Sequence, residues 1–333
     1  MRNSLIAAGV ALTLSQGAVA AEKPVLNVYT YDSFVSDWGP GPAVEKAFEA
    51  QCGCDLRFTT AGDGAALLAR VQLEGVHSKA DVVLGLDTNL TARAAATGLF
   101  APHGRTPRDL ALPVDWDDPL FLPFDWGYFA FVYDRTKLKN VPDSFEALAL
   151  MPRGFRIVIE DPRSSTPGLG LLLWVKAAYG ERAPEIWAGL RPHILTVTKG
   201  WSEAYGMFLA GEADMVLSYT TSPSYHIVAE QDETKAAALF REGHYMQIEV
   251  ASKTANAPHP ALADRFLAFM LSDAFQSIIP TTNWMYPVVM PKGGLPEGFQ
   301  SPVQPEAALM MSPRQAQDAR DRALDEWLRV LSK

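Results

Sequence analysis

Apolar positions along this chain come in short runs that switch between two periods. Val25-Leu-Asn-Val-Tyr-Thr-Tyr31, bounded by Pro24, is β-rich and predicts a strand that ends in a polar loop. A helical pattern follows over residues 43–50, with Pro42 suited to its first turn. Residues 54–59 read as a second strand, and Asp63-Gly64 precedes an amphipathic helix over 65–73. Residues 80–86 form a fully apolar strand ending at Asp87; the next helix runs to about Gly98, with Asn89 as the expected cap. Strand alternating with helix predicts an α/β lobe with a largely parallel sheet. In such sheets ligands sit beyond the carboxyl ends of the strands, here near Tyr31, Asp63, Gly64 and Asp87.

The aromatic run at 121–134 reads as a strand crossing into a second lobe. There the alternation restarts: a strand at 155–160, a loop Asp161-Pro-Arg-Ser-Ser-Thr166, a helix over 167–179, a helix near 202–210 and a strand at 214–217. Residues 244–250 read as a crossing back, followed by helices at 260–270 and around 274–279 and a charged amphipathic helix at about 313–331. Two α/β lobes joined by two crossings enclose a cleft, the architecture of a ligand clamp that closes about a hinge. The expected division is 21–125 plus 245–311 for lobe one, 126–244 for lobe two, and 312–333 for a C-terminal helix.

The N-terminus changes the expected compartment. One arginine, an apolar run from Leu5 to Leu14 and Ala18-Val-Ala20 have the form of a secretory signal peptide, so residues 1–20 are set aside and the mature chain is expected to start near Ala21. The run is too short for a membrane anchor. Hydrophobic residues at 48% and charged residues at 20% are ordinary globular composition. The formal net charge of −9, −10 without Arg2, argues against nucleic acid or an anionic membrane surface as partner. The two cysteines, Cys52 and Cys54, flank one glycine; in an oxidising compartment a local disulfide is expected, with free structural thiols as the alternative.

Four constellations carry candidate chemistry. Ser165-Thr166 ahead of an apolar helix are placed either to hold an anion at a helix N-terminus or simply to cap it. Lys199-Gly-Trp201 puts a tryptophan in a loop, where it could stack a flat or cationic ligand or pack into the core. Ser218-Tyr-Thr-Thr-Ser-Pro-Ser-Tyr-His226 is read as the loop after a strand, with Pro223 fixing the turn. It has no Gly-x-Ser-x-Gly around Ser222, which argues against a nucleophile elbow. Asn283-Trp-Met-Tyr-Pro287 is an aromatic loop. The six histidines show no helical metal-ligand spacing, so no metal site is expected.

These motifs (Val25-Leu-Asn-Val-Tyr-Thr-Tyr-Asp-Ser-Phe, Asp37-Trp-Gly-Pro-Gly-Pro, Ala80-Asp-Val-Val-Leu-Gly-Leu-Asp, Phe124-Asp-Trp-Gly-Tyr-Phe-Ala-Phe, Ser165-Thr-Pro-Gly-Leu-Gly, Thr198-Lys-Gly-Trp-Ser-Glu-Ala-Tyr, Leu217-Ser-Tyr-Thr-Thr-Ser-Pro and Asn283-Trp-Met-Tyr-Pro) closely resemble those of the periplasmic thiamine-binding proteins of bacterial ABC importers. The similarity runs from about Pro24 to Pro287. It implies a two-lobed type II periplasmic binding protein fold that binds thiamine and its mono- and diphosphate in the cleft. It implies delivery to an inner-membrane permease with ATPase subunits. With the export signal, the expectation is a periplasmic protein, taken as a monomer, with no catalytic residue and no cofactor. Ligand contacts carried over from the family fall on Asp63, Gly64, Ser165, Thr166, Trp201 and Tyr219-Thr220-Thr221-Ser222-Pro223. Tyr31, Trp38, Tyr225 and Trp284 match rings that line the same cleft. Thiamine fits the residue types: rings suit its thiazolium and aminopyrimidine, and the Ser/Thr helix start suits a phosphate. The alternatives are a binding protein for ferric iron, a polyamine or a phosphonate, and a thiamine-degrading enzyme using a cysteine.

Overall fold

The computed structural model describes residues 23–300 and 304–332. The expected signal segment, residues 1–20, and the start near Ala21 lie outside the described residues. Lobe one opens with β1 (Val25–Thr30), α1 (Gly41–Cys52), β2 (Asp55–Thr60), α2 (Gly64–Glu74), β3 (Val82–Asp87), α3 (Thr88–Ala95) and the short β4 (Phe100–Ala101). The crossing strand β5 (Leu122–Asp134) leads to α4 (Phe145–Ala149), β6 (Ile157–Glu160), α5 (Thr166–Tyr179), α6 (Ala183–Leu190), β7 (Ile194–Thr198), α7 (Trp201–Leu209), β8 (Met215–Tyr219), α8 (Ser222–Tyr225) and β9 (Lys235–Ala237). The chain returns along β10 (His244–Thr254) to α9 (Pro260–Met270), α10 (Asp273–Gln276), α11 (Ile279–Thr282), β11 (Tyr286–Pro287), β12 (Ala308–Leu309) and α12 (Pro313–Leu331).

The strands lie in the order β2-β1-β3-β10-β5-β8-β6-β7. β2, β1 and β3 are mutually parallel, as are β8, β6 and β7, while the joins at β3–β10, β10–β5 and β5–β8 are antiparallel. Each lobe is therefore a three-strand parallel sheet whose first strand is central, and two crossing strands connect the lobes. β5 pairs with β10 from Leu122 to Tyr128 and with β8 from Phe129 to Tyr133, so the handover between lobes falls within one continuous strand.

Local chemistry accounts for the elements. Pro42 sits in the first turn of α1, and Gly53 closes that helix at φ +64, a conformation glycine adopts without a Cβ penalty. Cys52 and Cys54 on either side of it are joined as a disulfide. β3 is buried at every position, as a central parallel strand covered on both faces should be. α12 starts with a capping box between Ser312 and Gln315 and packs against α3 of lobe one and α5 and α6 of lobe two. Lobe one is filled by Phe34, Phe48, Phe266, Phe269 and Phe275, and lobe two by Phe131, Phe145, Trp174 and Phe240.

Two local expectations are corrected. Asp87, not Asn89, caps α3: its Oδ1 accepts from the Asn89 amide at 3.1 Å. The stretch after Leu217 is not an open loop. β8 runs on through Tyr219, Pro223 enters the first turn of α8, and a π-helical turn follows over His226–Glu230.

Candidate functional site

Carboxyl ends of parallel strands from both lobes face a cavity of about 330 Å³. From lobe one come Tyr31 and Trp38 after β1, and Asp63 after β2. From lobe two come Thr166 after β6, Trp201 after β7, and Tyr219, Ser222 and Tyr225 at the end of β8. Trp284, from the segment after α11, completes the wall. Nine of the residues singled out in the sequence are thus brought together.

The rings meet across the cleft. Trp38 approaches Trp201 at 5.9 Å between centroids, and Tyr225 meets Trp284 edge to face at 5.2 Å. Trp201 stacks on Tyr205 at 5.0 Å, four residues along α7, and Tyr205 stacks in turn on His226. Trp284 holds φ +57, a left-handed conformation that costs a bulky residue about 1–3 kcal/mol and that clusters at ligand sites. The Trp201 indole donates to Ser218 Oγ at 2.8 Å, which pairs with Ser222 Oγ at 2.7 Å. Ser222 Oγ also accepts from the Tyr219 amide. The serine-rich stretch therefore orients rings, with Ser222 bound to another serine and to backbone rather than to histidine.

Three hydrogen bonds hold the lobes face to face, one of them from the Ala66 amide to the Ser164 carbonyl at 3.1 Å. Asp63 stands at the N-cap of α2 but caps nothing there; its Oδ2 accepts from the Trp201 amide at 3.2 Å, at the N-terminus of α7 in the other lobe. The Gly64 amide donates to Thr166 Oγ1 at 3.1 Å. A Cβ on Gly64 would stand 2.5 Å from that oxygen and 2.8 Å from the Gly85 carbonyl, so only glycine allows this approach. Asp63 keeps some accessible area, which opens into the cavity, and burial raises its carboxyl to about 6, against lowering contacts from Ser165 and the Trp201 amide.

Five expected ligand residues stand behind the wall instead of lining it. Gly64 is spent on Thr166. Ser165 caps α5, accepting from the Gly168 amide at 3.4 Å. The Thr220 amide donates to the Tyr128 carbonyl, and the Thr221 hydroxyl reaches Met285 Sδ. Pro223 is buried in α8. Conversely, Ser33, Tyr205, Glu249, Asn283 and Met285 line the cavity and were not among the expected ligand residues. Tyr205 was reachable from the i, i+4 spacing to Trp201, and Glu249 as a lone carboxylate between Ile248 and Val250.

His226 is fully buried with both ring nitrogens engaged, Nε2 with the Tyr205 hydroxyl at 2.9 Å and Nδ1 with Glu230 at 2.7 Å. Tyr225 donates to the other Glu230 oxygen at 2.8 Å. His226, Glu230 and Asp232 bring a ligand atom each within 4.8 Å of one another, but the histidine has no nitrogen to spare for a metal. Among the described residues, no Lys, Arg or His side chain lines the cavity.

Two lobes joined by crossing strands around a ring-lined cavity define a solute-capturing protein, and this chain belongs to the bacterial extracellular solute-binding protein family, whose family model matches residues 77–311. Its relatives narrow the comparison to one vitamin. The thiamine-binding periplasmic protein of Salmonella typhimurium is 53% identical over 97% of this chain and 98% of that protein. That of Escherichia coli is 54% identical over 93% of this chain and 94% of that protein. A solved periplasmic thiamin binding protein superposes with a TM-score of 0.91 at 54% identity, covering 93% of this chain and 97% of that one.

Proposed function

We propose that this protein captures thiamine, thiamine monophosphate and thiamine diphosphate in the periplasm and passes them to an ABC importer, without chemical change to the ligand. The observation that carries this reading is the cavity itself: tryptophans and tyrosines from both lobes surround a site with carboxylates and no basic side chain. Rings take up a flat aminopyrimidine, and rings with carboxylates favour a thiazolium cation. The relatives named as thiamine-binding support the choice of ligand.

In this reading a phosphate tail lies toward Thr166 at the start of α5, where the helix dipole favours an anion, while the Gly64 amide and Ser165 fix Thr166 and the helix start from behind. Tyr31, Trp38, Trp201, Tyr219, Tyr225 and Trp284 grip the rings, while Asp63 and Ser222 hold the closed geometry. Thr220, Thr221 and Pro223 support the wall from behind. No cofactor is required, and the protein acts as a monomer that presents both lobes to the permease with its ATPase subunits. A cysteine-dependent degrading enzyme fits poorly, because both cysteines are joined to each other at the α1–β2 turn. Ferric iron fits poorly, because His226 is spent on Tyr205 and Glu230.

Titration calorimetry with each of the three compounds tests the reading. One saturable site at micromolar concentrations or tighter is expected; no heat from any of them overturns it.

A further inference from the structure

One carboxyl in the cavity wall, and a second buried behind it, are not used by the ring grip. Glu249 lines the cavity from β10, and Asp125 is its register partner on β5. Glu249 is 6% exposed and Asp125 is 0% exposed. Every donor they have is neutral. The Tyr31 hydroxyl donates to Glu249 Oε2 at 3.0 Å, Gln247 Nε2 donates to Glu249 Oε1 at 2.9 Å, and Asn283 Nδ2 donates to Asp125 Oδ2 at 2.5 Å. Asp125 Oδ1, buried, has no hydrogen-bond partner among the described residues.

The surrounding elements add acid and no base. Asp87, also buried, is the register partner of Glu249 on the other side, from β3. Tyr219 faces the group from β8, and its phenol is held up by burial first and then by Glu249, Asp63, Asp125 and Glu160. Both oxygens of Glu160 are buried without a partner. Close like charges in a low-dielectric site cannot all be ionised.

We infer that Glu249, backed by Asp125, selects the positive charge of the ligand: the pair holds a proton in the unliganded protein and releases it to solvent when a cationic ring enters. This rests on the thiamine reading above. Burial, followed by the charge of Asp125, pushes the Glu249 carboxyl well up, and burial raises Asp125 as well. A cation in contact acts in the opposite sense and restores the ionised form. A ligand with the same outline but no positive charge would leave the proton in place and gain nothing from these side chains.

The test is calorimetric titration of the full protein with thiamine, in two buffers of different ionisation enthalpy, at several pH values between about 6 and 8. About one proton released per thiamine is expected at the low end, with Kd tightening by up to about tenfold per pH unit as pH rises. Glu249→Gln, its fold checked by melting and circular dichroism, is expected to bind at least about tenfold more weakly and to release no proton. Tight wild-type binding with no proton release and a flat pH profile overturns the inference and leaves the thiamine reading standing. Release that survives in Glu249→Gln assigns the proton to another buried carboxyl, Asp125, Asp87, Asp63 or Glu160, and overturns the role given to Glu249. Absence of wild-type binding at every pH overturns the thiamine reading itself. The wild-type proton count stands even if the variant fails to fold.

Discussion

Replacing Asp87 by Asn should tilt the pH dependence of stability. Burial pushes the Asp87 carboxyl from an ordinary 3.8 up to about 7 in the folded chain. A carboxyl raised on folding binds its proton more tightly folded than unfolded. Its stabilising effect is thus complete below about pH 4 and is lost as pH rises through 7. The gap between 3.8 and about 7 corresponds to about 4 kcal/mol. Asparagine cannot ionise, so it escapes that loss. It does forfeit one contact: Asp87 Oδ2 accepts from Asn89 Nδ2 at 2.8 Å, where the new amide would set donor against donor, at a cost of about 1–2 kcal/mol. The variant should therefore be less stable than wild type by about 1–2 kcal/mol near pH 4 and more stable by about 2–3 kcal/mol near pH 8. Asp87 also raises the neighbouring Glu249, so the difference between the two curves reports Asp87 together with its coupling to Glu249. Urea unfolding followed by tryptophan fluorescence at four or five pH values measures it. Parallel curves that never cross would refute the reasoning.

Other substitutions address the cleft. Trp201→Ala removes one stacking face, about 60 Å² at 25 cal/mol per Å² plus 0.5–1.5 kcal/mol of ring interaction; this totals about 2–3 kcal/mol, or a roughly 30- to 150-fold weaker Kd for thiamine by calorimetry, and an unchanged Kd would exclude the ring from the site. Tyr225→Phe keeps the ring and loses only its bond to Glu230, so affinity should stay within about fivefold, whereas Tyr225→Ala should lose more than tenfold. Gly64→Ala places a methyl 2.5 Å from Thr166 Oγ1 and should block closure at a cost of about 1–3 kcal/mol; small-angle scattering should then show less compaction on adding thiamine than in wild type, and equal compaction would contradict the contact.

Much of the architecture was legible because it rests on local pattern. β1, β3, β5 and the helices at 260–270 and 313–331 follow directly from apolar periodicity flanked by Pro, Gly and capping residues. β7 escaped because it is a short sheet-edge strand with only Thr198 buried, so its apolar signal is weak. The site was legible in its rings and less so in its hydroxyls. Ring-bearing loops at strand ends point to a cleft, but whether a serine faces a ligand or a neighbouring amide depends on a long-range approach such as Gly64 to Thr166. Glu249 was missed because a carboxylate in a crossing strand acquires meaning only when β5 and β3 bring Asp125 and Asp87 beside it.

The strand order also sets a schedule for assembly. Lobe two is a continuous stretch of chain, and its parallel strands and their neighbour β5 are complete once β8 and β9 have emerged. Lobe one is not: Leu86 of β3 pairs with Val250 of β10, so this buried strand waits for about half the chain before its second edge is covered. Closing so distant a pair is entropically slow, and an uncovered apolar edge is a template for wrong partners. A nascent chain that began folding from its N-terminus would expose that edge longest. Keeping it unfolded until β10 is available removes the hazard at its source.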